Sequence, residues 1–229
     1  MGIKDLNKFL RSECPEVFVE THLSHYAYKK VAIDVSLYMC KYKAIMGDAW
    51  IRSFINLVVS LRRNHVHCVF IYDSGSPPEK ENTKDKRKAS RDKIEDNIIQ
   101  LEYDLDQYHS TGEITPLLAK VGKPEIVSLR RQGVAFSLPI AEAYFEKKKK
   151  QLLHISEADF DMTKKLFDIL KVPYYDAPME AETMCSDLCK RGLVDAVLSE
   201  DTDVIAYGTP HFLSKIDTSK DTCVLVRID

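Results

Sequence analysis

Six carboxylates stand where short apolar runs end. Asp34 lies near the close of KVAIDV (30–35) and Asp73 closes HCVFIYD (67–73). Asp201 and Asp203 follow the apolar start of DAVLSEDTD (195–203). Glu180 and Glu182 come just after Pro178, and proline favours a helix start. Two residues apart in a regular helix, they would point about 200° away from each other. Both can face one place only where that helix begins. Six acids brought together repel one another, and without cations several would take up protons. Oxygen donors with no His or Cys among them favour Mg²⁺ or Mn²⁺ over zinc. Two such ions about 4 Å apart can activate a water and stabilise a leaving oxygen in phosphodiester hydrolysis. A cap or a surface charge explains any one of these acids, but not six at these positions.

A second group is basic. Lys80, Lys84, Arg87 and Arg91 fall at i, i+4, i+7 and i+11, one face of a helix beginning soon after Asp73. Such a stripe suits a phosphodiester substrate. The plainer alternative is a solvated helix with partners such as Glu81 and Asp85. Lys147–Lys150 stays open between phosphate contact and an ordinary solvated helix end. The formal net charge of the chain is −2, so any affinity for nucleic acid must come from local segregation of charge.

The elements that must position these groups read as an α/β domain, a mostly parallel central sheet flanked by helices. Near-continuous apolar strands imply burial on both faces. Residues 49–63 place Trp50, Phe54, Leu57, Val58 and Leu61 at helical spacing, a crossover between the first two strands. Residues 159–170 form a further amphipathic helix leading into the strand-like VPYYDAP (172–178). In an open α/β sheet, ligands bind at the carboxyl ends of the strands, where the acids fall. From 77 to 155 the character changes to charged helical segments, with an acidic patch at 103–106, an aperiodic stretch over 110–138 and the helical AEAYFEKKKKQ (141–151). This reads as an insertion of two helical arms joined by a loosely ordered tip, within a core spanning 1–229. The six cysteines show no CxxC spacing and read as reduced thiols. No secretory signal stands at the amino terminus, and the apolar run at 54–61 is too short for a bilayer. A soluble intracellular protein with no membrane partner is expected.

With these residues assembled, the sequence resembles the flap endonuclease and xeroderma-G-type family of structure-specific 5′ nucleases. MGIKDLNKFL resembles the family's opening, KVAIDVSLY its first metal-aspartate motif, FIYDSGSPPEK its second, and APMEAETMCSDLCKRGLVDAVLSEDTDVIAYG its internal motif. The resemblance implies a PIN-like core with a helical arch at 77–155, and Asp34, Asp73, Glu180, Glu182, Asp201 and Asp203 as ligands for two Mg²⁺ ions, with Mn²⁺ as substitute. It implies that Lys80 and Arg87 act in catalysis, and that Gly2, Tyr38, Tyr42, Lys84 and Arg91 contact DNA bearing a flap, nick or 5′ end. Ser74 stands between Asp73 and Gly75, where the family has Asp-Gly. Cys40 aligns with the family's base-stacking aromatic, flanked by Tyr38 and Tyr42. The family also continues into a helix–two-turn–helix-like DNA-binding region, which supplies a seventh carboxylate and is absent from this chain. Other readings are a nuclease-fold scaffold that has lost catalysis and a 5′ exonuclease acting on RNA.

Overall fold

The computed structural model describes residues 3, 5–75, 77–123, 136–152 and 155–227, without the side chains of residues 79, 81, 84, 87, 150 and 151. The described chain divides into two units, Met1–Pro78 with Ile155–Asp229, and Glu79–His154.

The first unit is built on a seven-stranded sheet ordered β1-β7-β6-β5-β2-β3-β4. At its centre lies β2 (Lys30–Asp34), parallel to β3 (His67–Tyr72) on one side and to β5 (Ala196–Leu198) on the other. β4 (Tyr174–Asp176) continues the parallel array beyond β3, and β6 (His211–Asp217) continues it beyond β5. β7 (Thr222–Arg227) and β1 (Phe18–His22) close that side antiparallel. The expected α/β class is thus observed, with an antiparallel margin added to the parallel strands.

Alternate residues of the central strands serve opposite faces, as the period of two requires. Val31, Ile33, Phe70, Tyr72 and Leu198 belong to one buried cluster. Helices α2 (Val35–Met46), α3 (Trp50–Arg63) and α7 (Glu157–Leu170) cover that face through Met39, Phe54, Leu57, Leu61 and Phe167. Ala32, Ile71, Val197 and Phe212 belong to the second cluster, covered by Ala181, Cys185 and Cys189 of α8 (Ala181–Lys190) and Val204 of α9 (Asp203–Ala206). The residues from Val35 to Arg63 are long and apolar enough in composition to cross a membrane. They are two helices parted by a 3₁₀ turn at Gly47–Ala49, with Gly47 at φ +52°, and their large apolar side chains make the sheet's core. All six cysteines are free. A short α1 (Leu6–Glu13) precedes the sheet.

The second unit holds α4 (Glu81–Thr111), α5 (Pro116–Val121) and α6 (Leu138–Gln151), joined around Ile98, Leu101, Leu105, Leu118, Ala141 and Phe145. Gly112 at φ +74° ends α4, and the Thr115 hydroxyl caps α5 by accepting the Leu118 amide while donating to the buried Asp104. The helix in the stretch expected to be aperiodic is α5. The expected tip falls largely on residues 124–135, outside the described residues.

Candidate metal centre

Asp34 is the last residue of β2 and the N-cap of α2, where its Oδ1 accepts the Leu37 amide at 3.1 Å. Extended backbone at a strand end followed at once by a helix puts the carboxylate at the sheet's carboxyl edge. It is 4% exposed, and burial pushes its pKa well above the usual carboxylate range. The negative charges of Asp73, Glu182 and Asp201 raise it further, and the Leu37 amide opposes them.

Asp73 follows β3 directly and accepts the amide of Ala181 at 2.7 Å. This bond ties the end of β3 to the first residue of α8, next to the two glutamates. Glu180 is the N-cap of α8 with extended backbone at φ −90°, ψ 138°, and Glu182 lies in the first turn. The helix therefore begins between them, as their spacing demands. Glu180 is buried, and its Oε2 accepts from the Tyr207 hydroxyl at 3.5 Å.

Asp201 and Asp203 lie on the turn from β5 into α9. The amide of Asp201 donates to Ser199 Oγ at 3.1 Å, and Asp201 Oδ1 accepts the amide of Asp203 at 3.0 Å. Carboxylate oxygens of Glu182, Asp201 and Asp203 all lie within 4.8 Å of one another. The Cys185 thiol, fully buried on α8, is pushed up by its burial and then by Asp34, Glu182 and Asp73, so it is a neutral wall of this site. Thr202 donates to the carbonyl of Ile3 at 3.5 Å, which brings the start of the chain beside the same turn.

Other expected site residues fare differently. Tyr38 is fully buried and Tyr42 is 9% exposed, their rings 5.5 Å apart in the core under the sheet. Their DNA-facing assignment is corrected: the face of α2 that carries them packs inward, with both side chains in the core cluster. Lys80 lies in a 3₁₀ turn (Pro78–Lys80) at the N-cap position of α4, so the basic stripe does not begin on the helix itself. Arg91 is exposed on α4. Gly2 and the side chains of Lys84 and Arg87 lie outside the described residues. Ser199 and Tyr207 support the acids without having been singled out in the sequence, since a lone hydroxyl near acidic positions carries no spacing signal.

An α/β sheet whose parallel strands deliver carboxylates to one edge defines a PIN-like nuclease core. The XPG N-terminal domain matches residues 1–94 and the XPG I-region matches residues 171–228, together more than half the chain. The chain belongs to the XPG family, the structure-specific 5′ nucleases that its motifs resemble. "Probable RAD2-like endonuclease 369L" of Invertebrate iridescent virus 6 is 31% identical, over 91% of this chain and 54% of that protein. The catalytic core of Rad2 in complex with DNA substrate superposes with a TM-score of 0.61 at 19% identity, over 95% of this chain and 53% of that one. The Holliday junction-resolving enzyme GEN1, solved with product DNA and Mg²⁺, gives 0.51 at 21%, over 98% and 39%. The chain spans about half the length of the curated relatives it matches.

Proposed function

We propose that this chain carries the catalytic core of a divalent-metal-dependent, structure-specific 5′ nuclease that hydrolyses phosphodiester bonds in flapped, branched or 5′-ended DNA. The observation that carries the reading is the approach of Glu182, Asp201 and Asp203 to within 4.8 Å, beside the buried Asp34. Oxygen donors alone fit hard divalent cations, Mg²⁺ or Mn²⁺. Glu182, Asp201 and Asp203 would hold one ion, and Asp34, Asp73 and Glu180 would complete the donors for a second. The chemistry a divalent ion supplies at such a site is activation of water and stabilisation of the leaving oxygen.

The chain's own groups prepare that site. Burial and the acidic neighbours raise the pKa of Asp34, so positive charge entering the site would favour its ionised, ligating form. Lys80 and Arg87 follow Asp73 by seven and fourteen residues, and we assign them to holding the scissile phosphate. Lys84 and Arg91 are assigned to the phosphates around it. The presence of DNA in the Rad2 complex and of DNA with Mg²⁺ in the GEN1 complex supports the same substrate class here.

The test is cleavage of labelled flaps, nicked duplexes, single strands and 5′-ended RNA, with Mg²⁺ and Mn²⁺ titrated against EDTA. Metal-dependent cleavage favouring flapped or 5′-ended DNA is expected. Cleavage that survives EDTA, or that persists in folded Asp201→Ala, overturns the metal site, and preference for RNA replaces the substrate.

A further inference from the structure

Asp34 and the Asp201–Asp203 turn leave two neighbouring strands of the sheet, β2 and β5, whose pairing runs as far as Ile33 and Leu198. Asp34 opens α2. Asp201 and Asp203 ride on the short turn after β5, which is held to β6 by the Ser199 amide on the Leu213 carbonyl at 3.0 Å. A side-chain pair spans from α2 to this turn. Lys41 Nζ donates to the carboxylate of Glu200, the residue immediately before Asp201. Lys41 stands seven residues after Asp34, so two helical turns bring it back to the same face of α2. Tyr38 lies between them on that face, and the Lys41 ammonium sits 5.7 Å from its ring centroid. The buried ring limits where the lysine stem can go. Both charged side chains keep 30% of their surface exposed.

We propose that Lys41 and Glu200 are positioning residues: their ion pair clamps the Asp201–Asp203 turn against α2 and so sets the spacing of the metal-holding carboxylates. The inference rests on the metal reading above. It makes a prediction opposite in sign to simple charge. Removing Lys41 leaves Glu200 as one more uncompensated carboxylate beside the cluster, and charge alone would then draw a divalent cation more strongly. If the pair holds the turn in place, its loss weakens binding instead, because supporting partners of ligating groups typically matter by about ten- to a hundredfold in metal affinity.

The experiment measures Mn²⁺ affinity of the whole chain by electron paramagnetic resonance of the free ion, alongside flap cleavage with Mg²⁺ titrated. Lys41→Met and Glu200→Gln should each bind Mn²⁺ about tenfold more weakly. Half-saturating Mg²⁺ should rise in step, while the rate at saturating metal stays within about threefold of wild type. Lys41→Arg should restore affinity, and so should the reversed pair Lys41→Glu with Glu200→Lys. Thermal melts followed by circular dichroism confirm folding, and the arginine and reversed-pair variants carry the test if Lys41→Met fails to fold. Unchanged or tighter Mn²⁺ binding in Lys41→Met overturns the clamp, as does a reversed pair no better than either single change. A wild-type chain with no affinity for Mn²⁺ overturns the proposed function and the clamp together. Wild-type affinity with indifferent variants overturns the clamp alone.

Discussion

The carboxylate of Asp34 accepts the Leu37 amide while standing buried among Asp73, Glu182 and Asp201, so it caps α2 and destabilises the metal-free fold at once. Three of the acids also take part in the fold, each through one bond to a backbone amide. Asp34 caps α2, Asp73 accepts the amide of Ala181, and Asp201 accepts that of Asp203. Asp34→Asn keeps an acceptor for Leu37 and removes the charge. Its melting temperature without metal should equal or exceed wild type, while cleavage falls on the order of 10³-fold, several kcal/mol of barrier. Asp34→Ala loses the cap as well and should melt lower than the asparagine variant, by about 1 kcal/mol. Equal stability of the two variants would show that the cap contributes nothing. At this scale the acids were legible because a carboxylate at a strand end announces its own position. Tyr38 and Tyr42 were not, because which side of α2 meets the sheet depends on helix rotation, which spacing alone leaves open.

Elements depend on joints that a reading of runs passes over. β1 has a mostly exposed pattern, with only Phe18 and Thr21 half-buried, so it lacks the apolar continuity that marks β2 and β3. β6 and β7 lie beyond the acidic motif, and their antiparallel pairing is secured from outside by α3. Asp221, in the turn between them at φ +56°, accepts from Ser60 Oγ at 2.7 Å and from Arg63 Nε at 2.9 Å and Nη2 at 2.6 Å. The Arg63 guanidinium is the largest influence, and it holds the Asp221 carboxyl down at about 2. A carboxyl whose pKa is depressed by folding stabilises the fold above its unfolded value, near 4. That contribution is lost as pH falls from about 4 through about 2. Asp221→Asn tolerates the left-handed backbone but loses the charge. It should cost about 2 kcal/mol at neutral pH, ~4–8 °C in melting temperature for a domain of this size. The gap from wild type should close as pH is lowered toward 2. A gap that stays constant from pH 7 to pH 2 would show that the carboxylate's charge is not what secures this joint.

At the scale of the whole chain, the change in composition at residue 77 and again at 155 is what the sequence shows of its organisation. β-branched apolar runs give way to charged helical segments and then return. The structure has a unit over Glu79–His154 with its own buried cluster, from Ile98 to Phe145, while the clusters on the two faces of the sheet draw on the other unit. How the arms pack within their unit was not legible, because α4 is polar over most of its 31 residues and has only a narrow apolar stripe. Separate cores predict separable tasks. Replacing residues 79–154 with a flexible Gly/Ser linker should leave a chain that folds cooperatively and binds Mn²⁺ within about threefold of wild type, since all six acids remain and their burial comes from the sheet. Flap cleavage should fall by at least ~10², because Lys80, Arg87 and Arg91 leave with the insertion. DNA affinity should lose part of its salt dependence with the phosphate contacts removed. Calorimetry, Mn²⁺ titration and single-turnover cleavage on one preparation distinguish the outcomes. A linker variant that fails to fold or to bind Mn²⁺ means the acid site depends on the second unit. One that cuts flaps at the wild-type rate means the basic residues of the arm have no part in the chemistry.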